Sequence, residues 1–175
     1  MSELVTPEDL DAYLSGDSEK ALAAAEAAVR AYCGWHVAPS KTETVTVDVD
    51  SPSVLLPSLH VTAVSSVRAE GNPVGADRFE WSQTGILWLN ARGFRRVEVE
   101  MTHGYDVDST AGVLLSSIVL ATAARAKSSP SGLMRAQVGQ VSETYSQTAH
   151  NQAGGVALLT SEKNLLAPYR LPSRP

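Results

Sequence analysis

The sequence predicts an α+β fold: a small helical bundle, with two N-terminal helices packed on a long third, interrupted by a small antiparallel sheet and closed by a C-terminal helix and tail. Three observations predict it. Apolar residues recur at helical spacing before residue 34 and again from about 109 to 128. Between residues 43 and 102 they recur at every second position, in short runs separated by turn residues. A last capped run near residue 160 ends in prolines. Of the 175 residues, 43% are hydrophobic and 19% charged. That is enough apolar material for one core, and too much for a disordered chain.

The elements follow in order. "TPEDLDAYL" reads as a short helix with Thr6 as cap and Pro7 in the first turn, where its missing N–H costs nothing. Leu10, Tyr13 and Leu14 form its apolar side. "SEKALAAAEAAVRAYCGW" reads as a second helix with Ser18 as cap. Leu22, Ala25, Val29, Tyr32 and Cys33 lie on its inner face, and Gly34 stops it.

The period then changes. "ETVTVDVD" sets Val45, Val47 and Val49 on one side of a strand. "SVLLP" is a short apolar strand. "HVTAVSSVRAEGNPV" places Val61, Ala63 or Val64, and Val67 before a turn at Gly71–Asn72–Pro73. "DRFEWSQTGILWLN" gives two strands around "SQTG", and "RRVEVEMTHGY" alternates Val97, Val99 and Met101 against charges. The long helix "DSTAGVLLSSIVLATAARAKSS" is capped by Asp108 or Ser109. Val113, Leu114, Ile118 and Ala121 or Thr122 share its main face. Leu115, Val119 and Leu120 widen the stripe, so burial on more than one side is implied.

"GQVSETYSQ" then alternates like a strand but has no evident neighbour. Two partners suit it, the inserted sheet or the next subunit. "SQTAHNQAGG" reads as a flexible linker. The C-terminal helix starts at Thr160 or Ser161, with Leu165 and Leu166 as anchors. The expected organisation is thus a core over 1–135 with its β region at 43–102, a strand-like segment and linker over 136–159, and a docking helix and tail over 160–175.

Charge and composition exclude several functions. Net charge is −5, concentrated in the N-terminal helices, and no basic stripe offers a grip on a nucleic-acid backbone. The single cysteine, Cys33, permits no intrachain disulfide. The acidic start lacks the features of a signal peptide, and no apolar run is long enough to span a membrane. Synthesis in the cytoplasm and solubility are expected.

No histidine pair has metal-ligand spacing, and Cys33 with His36 is half a zinc site at most. Cys33 falls on an apolar helix face, which argues against a nucleophile. There is no nucleophile elbow, phosphate loop or dinucleotide fingerprint. Asp106 and Asp108 suit a helix cap rather than a calcium loop. Trp81 and Trp88 bracket a hairpin and suit a core or a subunit interface. The residues point to a structural or adaptor protein, with no enzyme activity, cofactor or metal.

In order and spacing, the segments resemble the head-to-tail connector, or adaptor, proteins of long-tailed bacteriophages. The resemblance is carried by Asp9–Leu14, by "AVRAYCGW", and by Leu56, Pro57, Val61, Val64, Val67 and Gly71. Val97, Val99, Thr102, Gly104 and Tyr105 continue it, followed by Gly139, Ser142, Thr144 and Tyr145. It implies a ring, usually of twelve copies, docked beneath the portal protein in the virion neck. A stopper or head-completion protein or the tail lies below, and genomic DNA passes through the lumen unread. A ring needs two different patches on each subunit. The expected interface residues are Val141, Glu143 and Tyr145 in the strand segment and Leu165, Leu166, Tyr169 and Arg170 in the docking segment. The rival expectations are a tail-terminator or stopper protein of the same neck, a stand-alone binding module, and a small Cys/His enzyme.

Overall fold

The structure is a computed structural model that describes residues 6, 18–90, 93–128, 135–138, 141–144, 147–148, 152–153 and 156–172. The expected first helix, apart from Thr6, lies outside the described residues. The chain divides into two compact units. Of the described residues, those up to 34 and from 107 to 170 form one; Trp35–Asp106 forms the body of the other. The expected insertion of a sheet into a helical core is therefore present.

In the helical unit, α1 runs Ser18–Cys33 and packs on α2, Thr110–Ser128. Alanines on α1 favour the helix and permit close approach. Gly34 ends α1 in the left-handed conformation, φ 79°, with its N–H on the Arg30 carbonyl at 2.8 Å, as a helix C-terminus requires. Ser109 caps α2, its Oγ accepting the Gly112 N–H at 3.0 Å. The buried face of α1 holds Leu22, Ala25, Val29 and Cys33, as the spacing predicts, together with Ser18 and Glu26, while Tyr32 is only half-buried.

The buried face of α2 agrees with the widened stripe except at its N-terminal end. It is Leu115, Ile118, Val119, Thr122 and Ala123, whereas Val113 is 59% exposed. Val113 is the departure, because a helix with apolar residues on several sides carries no unique inner side in its sequence.

The sheet unit holds a four-stranded and a three-stranded antiparallel sheet. The first contains β1, Lys41–Asp48; β3, Val61–Ala69; β4, Asn72–Pro73; and β7, Arg96–His103, in the order β1-β7-β3-β4. The second contains β2, Ser53–Leu55; β5, Phe79–Trp81; and β6, Ile86–Leu89, in the order β2-β6-β5. Val47, Val54, Leu56, Val61, Val67, Leu87, Leu89, Val97, Val99 and Met101 form one buried cluster between them.

Strand alternation predicts most of that cluster, but β3 departs from it. Val61, Val64 and Val67 face inward at intervals of three. The pairing with β7 skips Thr62 and Ser65, so two bulges reset the side-chain period. The β3–β4 turn is centred on Glu70 and Gly71, with φ 50° and 83°, one residue earlier than expected. Positive φ at both central positions is the hairpin geometry that matches strand twist. Gly85, in the turn between β5 and β6, is forced by packing: a Cβ there would lie 1.9 Å from the Ser58 carbonyl oxygen.

After α2, β8 (Arg135–Val138) pairs antiparallel with β9 (Val141–Thr144). The strand expected to need the inserted sheet or another subunit thus takes the segment immediately before it as neighbour. Within the expected linker, β10 (Gln147–Thr148) pairs with β11 (Gln152–Ala153). Helix α3, Thr160–Leu166, runs into a 3-10 turn, Ala167–Tyr169.

Candidate assembly surfaces

The C-terminal segment is fixed to the helical unit by few but specific contacts. Leu166 is fully buried, while Leu165, one residue earlier, is 50% exposed. The Glu162 carboxylate accepts two hydrogen bonds from the Arg125 guanidinium, at 2.6 and 2.8 Å, and a third from the Leu159 N–H at 2.8 Å. That third bond satisfies the N–H of Leu159, which is the N-cap; Thr160 and Ser161, expected as the cap, lie inside the first turn of α3. Tyr32 donates its hydroxyl to the Lys163 carbonyl at 3.0 Å, and the Arg170 guanidinium lies 5.6 Å from the Tyr32 ring centroid.

Of the expected docking residues, Leu166 is thus core, Arg170 rests on Tyr32, Tyr169 is half-buried and Leu165 faces outward. Glu162 and Arg125 were not singled out from the sequence. A charged residue on a short helix reads as solvated until its partner, far away in the chain, is known.

Val141 and Glu143 sit in β9, whose backbone register is Val141 opposite Val138 and Glu143 opposite Ala136. Tyr145 lies outside the described residues. In the sheet unit, the outer face of the three-stranded sheet carries Leu55 and Trp88, 49% and 39% exposed. Trp81 faces the core instead. The two tryptophans, expected in a core or a subunit interface, are divided between the sheet's two faces, Trp81 against the core and Trp88 partly exposed.

One polar cluster lies at the end of the four-stranded sheet. His103 is buried, and its Nε2–H donates to Glu43 Oε1 at 2.8 Å; Lys41 Nζ reaches Glu43 Oε2 at 2.6 Å. His103 Nδ1 is buried without a hydrogen-bond partner. Trp35 stacks on the His103 ring at 6.3 Å between centroids, and His60 stacks on Tyr105 at 4.3 Å. Burial holds the His103 pKa below the ordinary imidazole value, against the opposing pull of Glu43. Burial also acts to raise the Glu43 pKa, but the hydrogen bonds from Lys41 and His103 outweigh it and the net shift is downward. The neutral imidazole fits this site, because a proton on Nδ1 would find no acceptor.

His36 Nε2 lies 2.7 Å from the Pro39 carbonyl, which accounts for it structurally. Cys33 is buried, and desolvation raises its pKa to about 11, the opposite of what a nucleophile needs. Among the described residues, no group of three or more His, Cys, Asp or Glu side chains could hold a metal ion. No helix among them is long and apolar enough to cross a membrane.

Exposed large apolar side chains, Leu55, Trp88, Val113 and Leu165 among them, stand on a helical bundle with an inserted sheet. Such an arrangement suits a structural protein. The chain belongs to the head completion protein family, whose model matches residues 4–125.

Solved structures share the fold over nearly the whole chain. A chain from the neck of a native gene transfer agent (GTA) particle computed with C12 symmetry has a TM-score of 0.60 and 18% identity, covering 96% of this chain and 91% of that one. A chain from the neck of an empty GTA particle computed with C6 symmetry has a TM-score of 0.60 and 17% identity, covering 98% and 94%. One from the virion of a native GTA particle gives 0.60 and 16%, covering 99% and 94%. No curated protein matches the chain.

Proposed function

We propose that this chain is a head-completion protein: a structural component of the neck of a tailed-phage-like particle, present as a ring of identical copies around the DNA path. The observation that carries it is the family match over residues 4–125. The fold shared with chains from neck structures computed with C12 and C6 symmetry supports the ring. The function needs no chemistry; it needs surfaces that repeat around an axis and a lumen that does not hold DNA.

The test is a particle preparation in which this chain is not made. The expected result is DNA-filled heads without attached tails, restored by supplying the chain in trans. Tailed, fully functional particles without the chain overturn the reading.

A second reading within the neck is the adaptor, docked directly on the portal. Exposed Leu165 beside the buried Leu166 favours it, because an outward anchor on a well-held short helix suits a docking segment. Tyr169 and Arg170 complete that anchor. The adaptor reading requires purified portal to capture the chain with no other neck protein present, and Leu165→Ser to weaken capture at least tenfold. Deleting the whole segment is the poorer test, since it would also remove Leu166 and Glu162 from the helical unit.

A further inference from the structure

The two edges of the four-stranded sheet are treated differently. The β3 edge carries two bulges, and β4 pairs with it over Arg68 and Ala69. Both devices protect an edge from foreign strands. Among the described residues, the β1 edge has neither. Lys41–Asp48 pairs with β7 over eight consecutive residues without a shift, and β1 ends the sheet order.

The alternation of antiparallel hydrogen bonds tells which groups are open. Val49 donates to the Arg95 carbonyl at 2.8 Å. Counting back from it in steps of two, Val47, Val45, Glu43 and Lys41 bond toward β7. Thr42, Thr44, Thr46 and Asp48 therefore point their N–H and C=O groups away from the sheet. Thr42, Thr44 and Thr46 are exposed and β-branched, which suits an extended edge. Such a row takes one kind of ligand, another extended backbone.

The same chain carries an extended element in the complementary condition. The β8–β9 ladder is a separate two-stranded sheet of four residues per strand. A lone two-stranded ladder is marginal in water, and a third strand is what stabilises it. We infer that the open edge of β1 receives the β8–β9 hairpin of a second copy, so that each subunit gives one strand and takes one. Such a contact is heterologous: the donor and acceptor patches differ, and repetition about an axis closes a ring. This rests on the ring reading above and goes beyond it by naming the two patches.

The test is cross-linking in assembled particles. A Thr44→Cys, Ser142→Cys chain is treated with a short bis-maleimide, and the products are separated under denaturing conditions. The wild-type chain, whose Cys33 is buried, is the control. The expected result is a ladder of covalent multimers that is absent from the control. Single variants Thr44→Cys and Ser142→Cys, co-expressed, should give dimers and no higher species, and these keep the test valid if the double variant does not assemble. An intrachain link without multimers means that β1 takes its own hairpin and overturns the inference. Intact particles containing unlinked chains overturn it as well. Absence of the chain from particles would instead overturn the proposed function, so the two failures are distinguishable.

Discussion

The sheet unit and the helical unit bury different kinds of material. The sheet unit closes on a large apolar cluster, with Val97, Val99, Met101 and Leu87 fully buried, and its buried polar residues, Ser58 and His103, carry no carboxylate. The helical unit also closes on apolar residues at its helix contact, but it buries two carboxylates, Glu26 and Glu162, as well. Its last helix is held by Leu166 and a charge pair. The first arrangement depends on area removed from water; the second depends also on geometry, since a buried carboxylate is tolerated only while its partners stay in place.

That contrast can be broken most strongly at Met101. Met101→Ala should cost about 2–5 kcal/mol, as buried truncations that leave a cavity do. Denaturant unfolding reads it, and a loss below about 1 kcal/mol would mean that the sheet core is looser than described.

Glu162→Gln comes next, at about 1.5–3 kcal/mol, because it leaves the Arg125 charge poorly matched. Hydrogen exchange should accelerate across residues 159–169 while β7 stays protected. Equal acceleration in β7 would erase the distinction between the units. Arg125→Met with Glu162→Leu should restore much of the loss, since paired apolar groups can replace a buried ion pair.

A smaller effect is the pH response of His103. Its folded-state pKa lies below the ordinary 6.5, so the unfolded chain binds the proton more readily. The stability it contributes is full above about pH 6.5 and falls as the pH drops from there towards the folded value. Glu43, also held below its ordinary 4.5, adds a loss that begins only below that. Thermal midpoints should decline on acidification through the first window, and His103→Gln should flatten that decline. An unchanged slope in the variant removes His103 as its source.

Val113→Ser should be nearly silent, within about 0.5 kcal/mol, as exposed substitutions usually are. A large loss in the isolated chain would show that the outward side of α2 is covered.

The sequence made the sheet core legible because strands there bury one face, and period two names that face directly. Val97, Val99 and Met101 follow from alternation alone. The β3 bulges were hidden, since Val61, Val64 and Val67 fit no strand period until Thr62 and Ser65 are set aside. The inner side of α2 was hidden for the opposite reason: with apolar residues on several sides, only the position of its neighbours selects Ile118 over Val113.

The assembly surfaces were less legible. Leu165 and Leu166 look alike in the sequence, and a single step around a helix separates an exposed side chain from a buried one. Hydrogen bonds from Arg125 gave Glu162 its role, and nothing near it in the chain announces that pair. Open edges are a property of sheet order, so β1 could be recognised as one only after β7 and β3 had found their places.

The connection between Val37 and Tyr105 has a consequence for the family's history. The Tyr105 N–H donates to the Val37 carbonyl at 2.8 Å, so the segments by which the chain enters and leaves the sheet unit are tied side by side. For the helical unit, the whole insertion then counts as a tight turn in the entropy of chain closure. A module tied at its own base can grow, shrink or be exchanged while the helices that flank it keep their path. Variation among relatives should therefore gather inside the inserted segment, and the residues at its neck should tolerate the least change in length.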